Sequence, residues 1–356
     1  MMRKTTWGAA TVLLAICGAA QGQAYNSDFE PPTYAGSAAG TSITGQDGWY
    51  LPAVAGSLDG RVFTYAGNTL GLSVNPFGST QMEGGMSGGG TSLVRAQHAI
   101  DFSSGGVWSA CWDCTALWNS ATPLPAANNI GSWSMQPSGT ARYFQQLMSW
   151  GGPGNTYEVA PPDRLATADR FHIHIGRFIT GAAGELITFS SPDPAWNDIP
   201  VNNWVRIGLE WDFATARVLK CSIRNLTTGG PTITTDVSAL GWLLQGGPTG
   251  TNPLPTDIRF FVGGATANGN IAAYDNLRIG PGSIQCSPPP GPTCYANCDN
   301  STIIPFLNVN DFICFNNKFA AGDTTANCDG STIVPVLNVN DFICFNNLFA
   351  AGCTAP

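Results

Sequence analysis

From about residue 25 to residue 280, short runs of β-branched and aromatic residues are separated by clusters of glycine, proline, serine, threonine and asparagine. No apolar pattern of period 3.6 is sustained there, so the segment predicts strands joined by turns. Residues 204–213 show the pattern best. Val205, Ile207, Leu209, Trp211 and Phe213 fall on one face, and Arg206, Glu210 and Asp212 on the other, as expected of a strand with one buried and one wet side. Similar alternation marks 171–175, 218–224 and 271–279, with a further strand at 258–262. About a dozen such strands predict a mainly β chain folded as a two-sheet antiparallel sandwich.

The pattern changes after residue 294. Residues 296–317 return as 326–347 with few substitutions, at a spacing of 30. That period is too short for a β domain and fits a loop followed by a helix of about three turns, doubled. Phe312, Phe315 and Phe319, and again Phe342, Phe345 and Phe349, recur at helical offsets and predict a small core between two helices. Between the two regions, Cys286 to Cys294 is a proline-rich, semi-rigid spacer. The predicted organisation is a β-sandwich over 25–285, a linker over 286–294, and a C-terminal module over 294–356 with repeats at 296–322 and 326–352.

The N-terminus reads as a secretory signal peptide over residues 1–24, with Arg3 and Lys4, an apolar stretch from Trp7 to Ile16, then small residues. Cleavage after Gly22 or after Ala24 satisfies the small-residue requirement, and Ala24 is preferred. The bulky Ile16 before Cys17 argues against a lipoprotein signal. No later stretch reaches the roughly 20 apolar residues of a membrane helix. The expected location is secreted, extracellular or attached to a cell surface. Loss of Arg3 and Lys4 leaves 13 basic against 23 acidic residues, a net charge of −10, which disfavours nucleic acid as a partner. Ten of the eleven cysteines remain, and an even count in an exported chain predicts disulfides. In the module, repeat symmetry selects Cys298–Cys314, Cys328–Cys344 and a clasp of Cys294 with Cys353 from fifteen pairings. Cys111 and Cys114 sit three apart on a predicted strand, with Cα atoms ~10 Å apart, beyond the roughly 7 Å a disulfide tolerates. Unless a turn intervenes each must pair elsewhere, with Cys221 and Cys286 as candidates.

The run 203–212, the strand 220–224, Arg259 to Gly264 and Ala273 to Ile279 resemble the concanavalin A-like, laminin-G-type (LamG) jelly roll. That family includes lectins, adhesion modules and glycoside hydrolases, so the resemblance implies a fold and leaves function to the site. Laminarinase-type hydrolases on this fold carry Glu-x-Asp-x-(x)-Glu. Glu210 and Asp212 supply the first two acids, and the last is missing, which leaves an acid/base pair incomplete. They are kept as weak catalytic candidates beside the simpler expectation of a solvated strand end. Trp108, Trp112 and Trp118 share a strand face, where exposed indoles would form a platform for sugar rings and buried ones would form core. His172 and His174 share another, as a polar face or two ligands of a metal, with no third identifiable. Glu30 and Asp275, near the two ends of the domain, are candidates for a structural calcium, with plain surface acids as the alternative.

In each C-terminal repeat, oxygen-bearing side chains alternate: Asn297, Asp299 and Ser301, then Asn327, Asp329 and Ser331. Asn308 with Asp311, and Asn338 with Asp341, follow three apart. These match positions 1, 3, 5, 9 and 12 of an EF-hand-type calcium loop. The module resembles a dockerin, in which such a loop precedes one helix in each of two copies. It departs from that pattern in having Asn at position 1, no glycine at position 6, and fifteen residues from Asn297 to Asp311, which implies weaker calcium affinity. Asn308 and Asp311 also suit a helix N-cap, and both roles can coexist. Dockerins dock onto a cohesin, so the resemblance implies calcium as cofactor and a cohesin-like or cell-surface protein as partner. The function expected is that of a secreted, non-catalytic protein that binds a glycan or surface polymer and is tethered by its C-terminus. The alternatives are a glycoside hydrolase or lyase of a dockerin-bearing polysaccharide-degrading system, and a structural envelope or adhesion protein.

Overall fold

The computed structural model describes residues 24–78, 80–88, 92–119, 129–136, 143–150, 169–178, 188–245, 254–263, 268–283, 295–299, 307–331 and 334–352. The predicted signal segment, the 286–294 linker, Ser301, Cys294 and Cys353 therefore lie outside the described residues, save Ala24. Seventeen strands run in chain order: β1 Tyr25–Ser27, β2 Thr41–Ser42, β3 Ser57–Asp59, β4 Arg61–Thr64, β5 Gln81–Gly88, β6 Leu93–Ala99, β7 Val107–Trp118, β8 Asn129–Gln136, β9 Phe144–Ser149, β10 Arg170–Arg177, β11 Thr188–Ser190, β12 Ile199–Pro200, β13 Val205–Asp212, β14 Arg217–Asn225, β15 Ile233–Asp236, β16 Asp257–Val262 and β17 Asn268–Pro281. Helices α1 Val309–Ala320 and α2 Val339–Ala351 follow. None of the described helices is long and apolar enough to cross a membrane.

The strands form two sheets, ordered β15-β14-β13-β7-β17-β5-β4-β2 with β1 beside β17, and β11-β10-β9-β8-β16-β6-β3 with β12 beside β10. Pairing between these strands is antiparallel except for β3 with β6. The architecture is the predicted two-sheet sandwich. Its core takes Val205, Ile207, Leu209 and Trp211 from β13, Phe171, Ile173 and Ile175 from β10, and Ile258, Phe260 and Val262 from β16, one residue in two as the sequence alternates. Tyr274 ties the sheets together, its hydroxyl lying 2.8 Å from the Phe261 carbonyl and 3.3 Å from that of Ser132.

The first sheet is also covered on its outer face. Tyr65, Leu70 and Leu72 pack there on Phe63, Met82, Ile271, Ala273 and Trp204 as a second apolar cluster. Ser73 and Asn75 fasten this segment, through Trp204 Nε1 to the Ser73 carbonyl (2.9 Å) and Asn75 Nδ2 to Asp113 (2.9 Å). A sheet buried on both sides has no wet face from which to read orientation.

Packing between the two sheets overturns one expectation. Trp108, Trp112 and Trp118 do share a face, but it is the inner one, where they are at most 6 % exposed and Trp112 stacks on Trp133 at 4.6 Å between centroids. They are core and offer no platform for a sugar. In the described residues Cys114 and Cys221 are unpaired and buried, while Cys111 is disulfide-bonded to a partner outside them. Burial pushes both free thiols up, in Cys114 aided by Asp113, which keeps them in the less reactive protonated form near neutral pH.

In the C-terminal module Cys298 pairs with Cys314 and Cys328 with Cys344, as repeat symmetry predicts. Phe315 and Phe345 stack at 4.3 Å with Phe312, Phe319, Phe342 and Phe349 around them. So small a core is the physical reason for the staples.

Candidate functional site

The outer face of the second sheet is polar. Inward Phe171, Ile173 and Ile175 leave His172 and His174 outward, and inward Ile258 and Phe260 leave Asp257 and Arg259 outward. Register then lines up side chains across strands. Gln145 on β9 pairs with Ser134 on β8, Ser134 with Arg259 on β16, Arg259 with Gln97 on β6, and Gln97 bridges to Tyr50. A parallel row runs His174, Leu147, Ser132, Phe261, Arg95, Asp59. From Gln145 to Tyr50 is four strand spacings, ~19 Å at about 4.8 Å each.

Hydrogen bonds join the Arg259, Gln97 and Tyr50 side chains of the first row into one chain that ends on Asp257. Arg259 donates through Nε (2.8 Å) and Nη2 (2.5 Å) to Gln97 Oε1. Gln97 Nε2 donates to the Tyr50 hydroxyl (2.7 Å), which donates to Asp257 Oδ1 (2.6 Å). Burial and the Asp257 carboxylate push the Tyr50 phenol up to about 12, so it stays a hydroxyl donor through the physiological range. Gln136, paired with Asp257, donates to Ser134 Oγ (2.9 Å), while its Oε1 is buried without a hydrogen-bond partner. Tyr50 and Phe261 are half-buried rings, and the Arg95 guanidinium lies 5.4 Å from the Phe261 centroid. A rigid floor of donors and acceptors with flanking rings suits a hydroxyl-rich ligand.

The two histidines lie on this face, each with its own protein partners. His174 sets Nε2 against Ser149 Oγ (3.0 Å) and Nδ1 against Ser191 Oγ (3.2 Å), and His172 Nδ1 accepts from the Asp198 amide (3.3 Å). Their rings are nearly parallel at 6.4 Å between centroids.

The other sequence candidates are scattered. Glu210 binds Lys220 Nζ at 3.1 Å and also accepts from Ser283, and Asp212 caps a turn by accepting from Ala214 N (2.9 Å) and Thr215 Oγ1 (2.8 Å). Both carboxylates are committed to local structure on the first sheet. Glu210→Gln is expected to lower stability by less than about 1 kcal/mol and to leave reducing-sugar release from any polysaccharide unchanged, read by melting and by assay. Glu30 accepts from the Thr80 and Gln81 amides (2.7 and 2.9 Å), whereas Asp275 is buried with Tyr65, Asn75 and the Asn276 amide. Among the described hydrogen bonds the two carboxylates have different partners, although the charges of both act on the Tyr65 phenol. Asp275 also lies beside the buried Asp113–Arg206 ion pair, and burial and Asp113 push its carboxyl well up.

In the C-terminal loops, Asn308 and Asp311 form a capping box on α1, and Asn338 and Asp341 one on α2. Each aspartate also reaches back across its loop, Asp311 to the Asp299 amide (3.4 Å) and Asp341 to the Asp329 amide (3.2 Å). Asn327 Oδ1 is buried with no hydrogen-bond donor, and its Nδ2 donates to the Ser331 carbonyl (2.9 Å). An orphaned acceptor in the loop that Asp341 closes onto the Asp329 amide suits an oxygen-ligated cation. Among the described residues no group of three His, Cys, Asp or Glu surrounds a point, so any cation would depend on amide, hydroxyl and carbonyl oxygens.

No family model and no curated protein matches the chain. Solved structures do. Peanut lectin with a 9mer peptide is 11% identical, covering 75% of this chain and 100% of that one at a TM-score of 0.42. Basic winged bean lectin with Tn-antigen is 12% identical, covering 73% and 98% at 0.36, and a marine PL-14 alginate lyase from Aplysia kurodai is 9% identical, covering 59% and 87% at 0.34. At these identities and TM-scores the similarity is one of overall sandwich form.

Proposed function

We propose that this is a secreted, non-catalytic protein whose sandwich binds a glycan or surface polymer on the outer face of the second sheet, and whose C-terminal module, closed by calcium, tethers it to a cohesin-like or other surface partner. The observation that carries the first part is the in-register row Gln145, Ser134, Arg259, Gln97 and Tyr50 with the buried, unpartnered acceptor Gln136 Oε1 beside it. Polar side chains so shielded from water are costly unless a fixed partner set holds them. Here that set is a preorganised template long enough for several sugar rings. For the module, Asn327, Asp329, Ser331, Asn338 and Asp341 would hold the ion, with the equivalent residues of the first repeat. Calcium would neutralise the acidic loop and fix the entry of each helix. Val309 with Ile313, and Val339 with Ile343, are exposed at matching positions of both helices and are the apolar surface a docking partner would cover.

Affinity electrophoresis through neutral and acidic polysaccharides tests the binding face. Retention is expected, and Gln97→Ala and Tyr50→Ala should each weaken it at least tenfold, about 1.4 kcal/mol. Wild-type retention in both variants would move the site elsewhere. No retention on any polymer would favour the envelope or adhesion alternative.

A further inference from the structure

Glu83 on β5 turns into the space between the sheets. It is 1 % exposed, and neither carboxyl oxygen has a hydrogen-bond partner. It fits because residue 60, between β3 and β4, is glycine: a Cβ there would stand 2.6 Å from Glu83 Oε1 and 2.8 Å from the Ala96 methyl. Glu83 thus fills the notch where β3 and β6 meet the first sheet, with Val62 and Tyr274 as its cross-strand neighbours. The titratable groups acting on it are Asp59 from β3 and Tyr274 from β17. The Tyr274 phenol is engaged with backbone carbonyls, and Arg95 on β6 is turned to the opposite face, donating to Ser57 Oγ (2.8 Å). Burial first, and the Asp59 charge second, push the Glu83 carboxyl well above the usual range.

We propose that Glu83 is a protonation switch for the corner formed by β3 and β6: the neutral acid lets the sheets close over it, and the carboxylate, buried without a donor and within reach of the Asp59 charge, drives that corner open. Arg95 and Gln97 of the polar face belong to β6, so ligand release on alkalinisation follows, a consequence that rests on the glycan-binding reading. The sign is fixed by linkage. The opened or unfolded chain releases this proton near pH 4.5 and the closed one only at higher pH, so closure weakens as pH rises between the two values.

Hydrogen exchange of the full-length protein, corrected for intrinsic rates, is the test. Between pH 6 and 9, protection of the Ser57–Asp59 and Leu93–Ala99 amides is expected to fall up to tenfold per pH unit, and to be flat in Glu83→Gln. Asp59→Asn, which leaves the notch intact, should reduce the loss at pH 9. Equal slopes in wild type and Glu83→Gln, or in wild type and Asp59→Asn should Glu83→Gln not fold, would overturn the switch. Glycan retention over the same range separates the two ideas. A pH-dependent corner with no retained glycan leaves the switch standing and sinks the binding face, whereas retention with a pH-independent corner does the reverse.

Discussion

Arg206→Ala is expected to destabilise the sandwich by about 3–5 kcal/mol and to lower its melting temperature by roughly 10 °C. The guanidinium donates through Nε to Asp113 Oδ1 at 2.6 Å and through Nη2 to Oδ2 at 2.8 Å, with side chains 5 % and 0 % exposed. Burial alone would lower the arginine's proton affinity, and the Asp113 carboxylate more than restores it. Removing the cation leaves Asp113 buried next to Asp275, with only the amides of Asn75 and Asn276 as donors. Urea unfolding followed by tryptophan fluorescence reads the loss, since Trp112 lies next to Asp113 in the core. Replacing both partners by apolar residues of similar volume should cost far less, because no orphaned charge remains. A single-variant loss below 1 kcal/mol would mean that water reaches the pair.

The second large effect concerns the C-terminal module. Calcium at a hundred times its dissociation constant should stabilise the oxidised chain's helical transition by about 2.7 kcal/mol for each loop that binds it, and Asp341→Ala with Asp311→Ala should abolish that gain. Circular dichroism at 222 nm against calcium concentration measures it. Without calcium the double variant still loses two capping boxes, about 1 kcal/mol each, so capping and metal binding are separable. The pH dependence has a definite sign. Burial would raise Asp341, but hydrogen bonds from the amides of Asn338, Asp329 and Cys328 outweigh it and hold the carboxyl below its usual 3.8. Its contribution is therefore fully present above that value and is lost as pH falls through the lowered one. Helix content that ignores calcium in wild type would remove the physical support for tethering.

Much of this was legible residue by residue. The alternation of Val205 to Trp211 gives β13 and its buried face, and the spacing of 30 gives two loop-helix copies, their Phe core and the pairing of Cys298 with Cys314. The face shared by His172 and His174 was visible in the same way. Glu83 was not, since an acid inside an alternating run reads as a wet position.

Local periodicity determines which side chains share a face and which segments repeat, because both follow from the 3.6- and 2-residue geometry of the backbone. Which face is inner was decided only by tertiary packing. On β7 both faces are covered, one by the second sheet and the other by the segment around Tyr65 to Phe77, so Trp108, Trp112 and Trp118 carried no sign of being core. The polar row from Gln145 to Tyr50 draws one residue from each of five chain segments and exists only through the register of their pairing, a non-local property that no single run of sequence encodes.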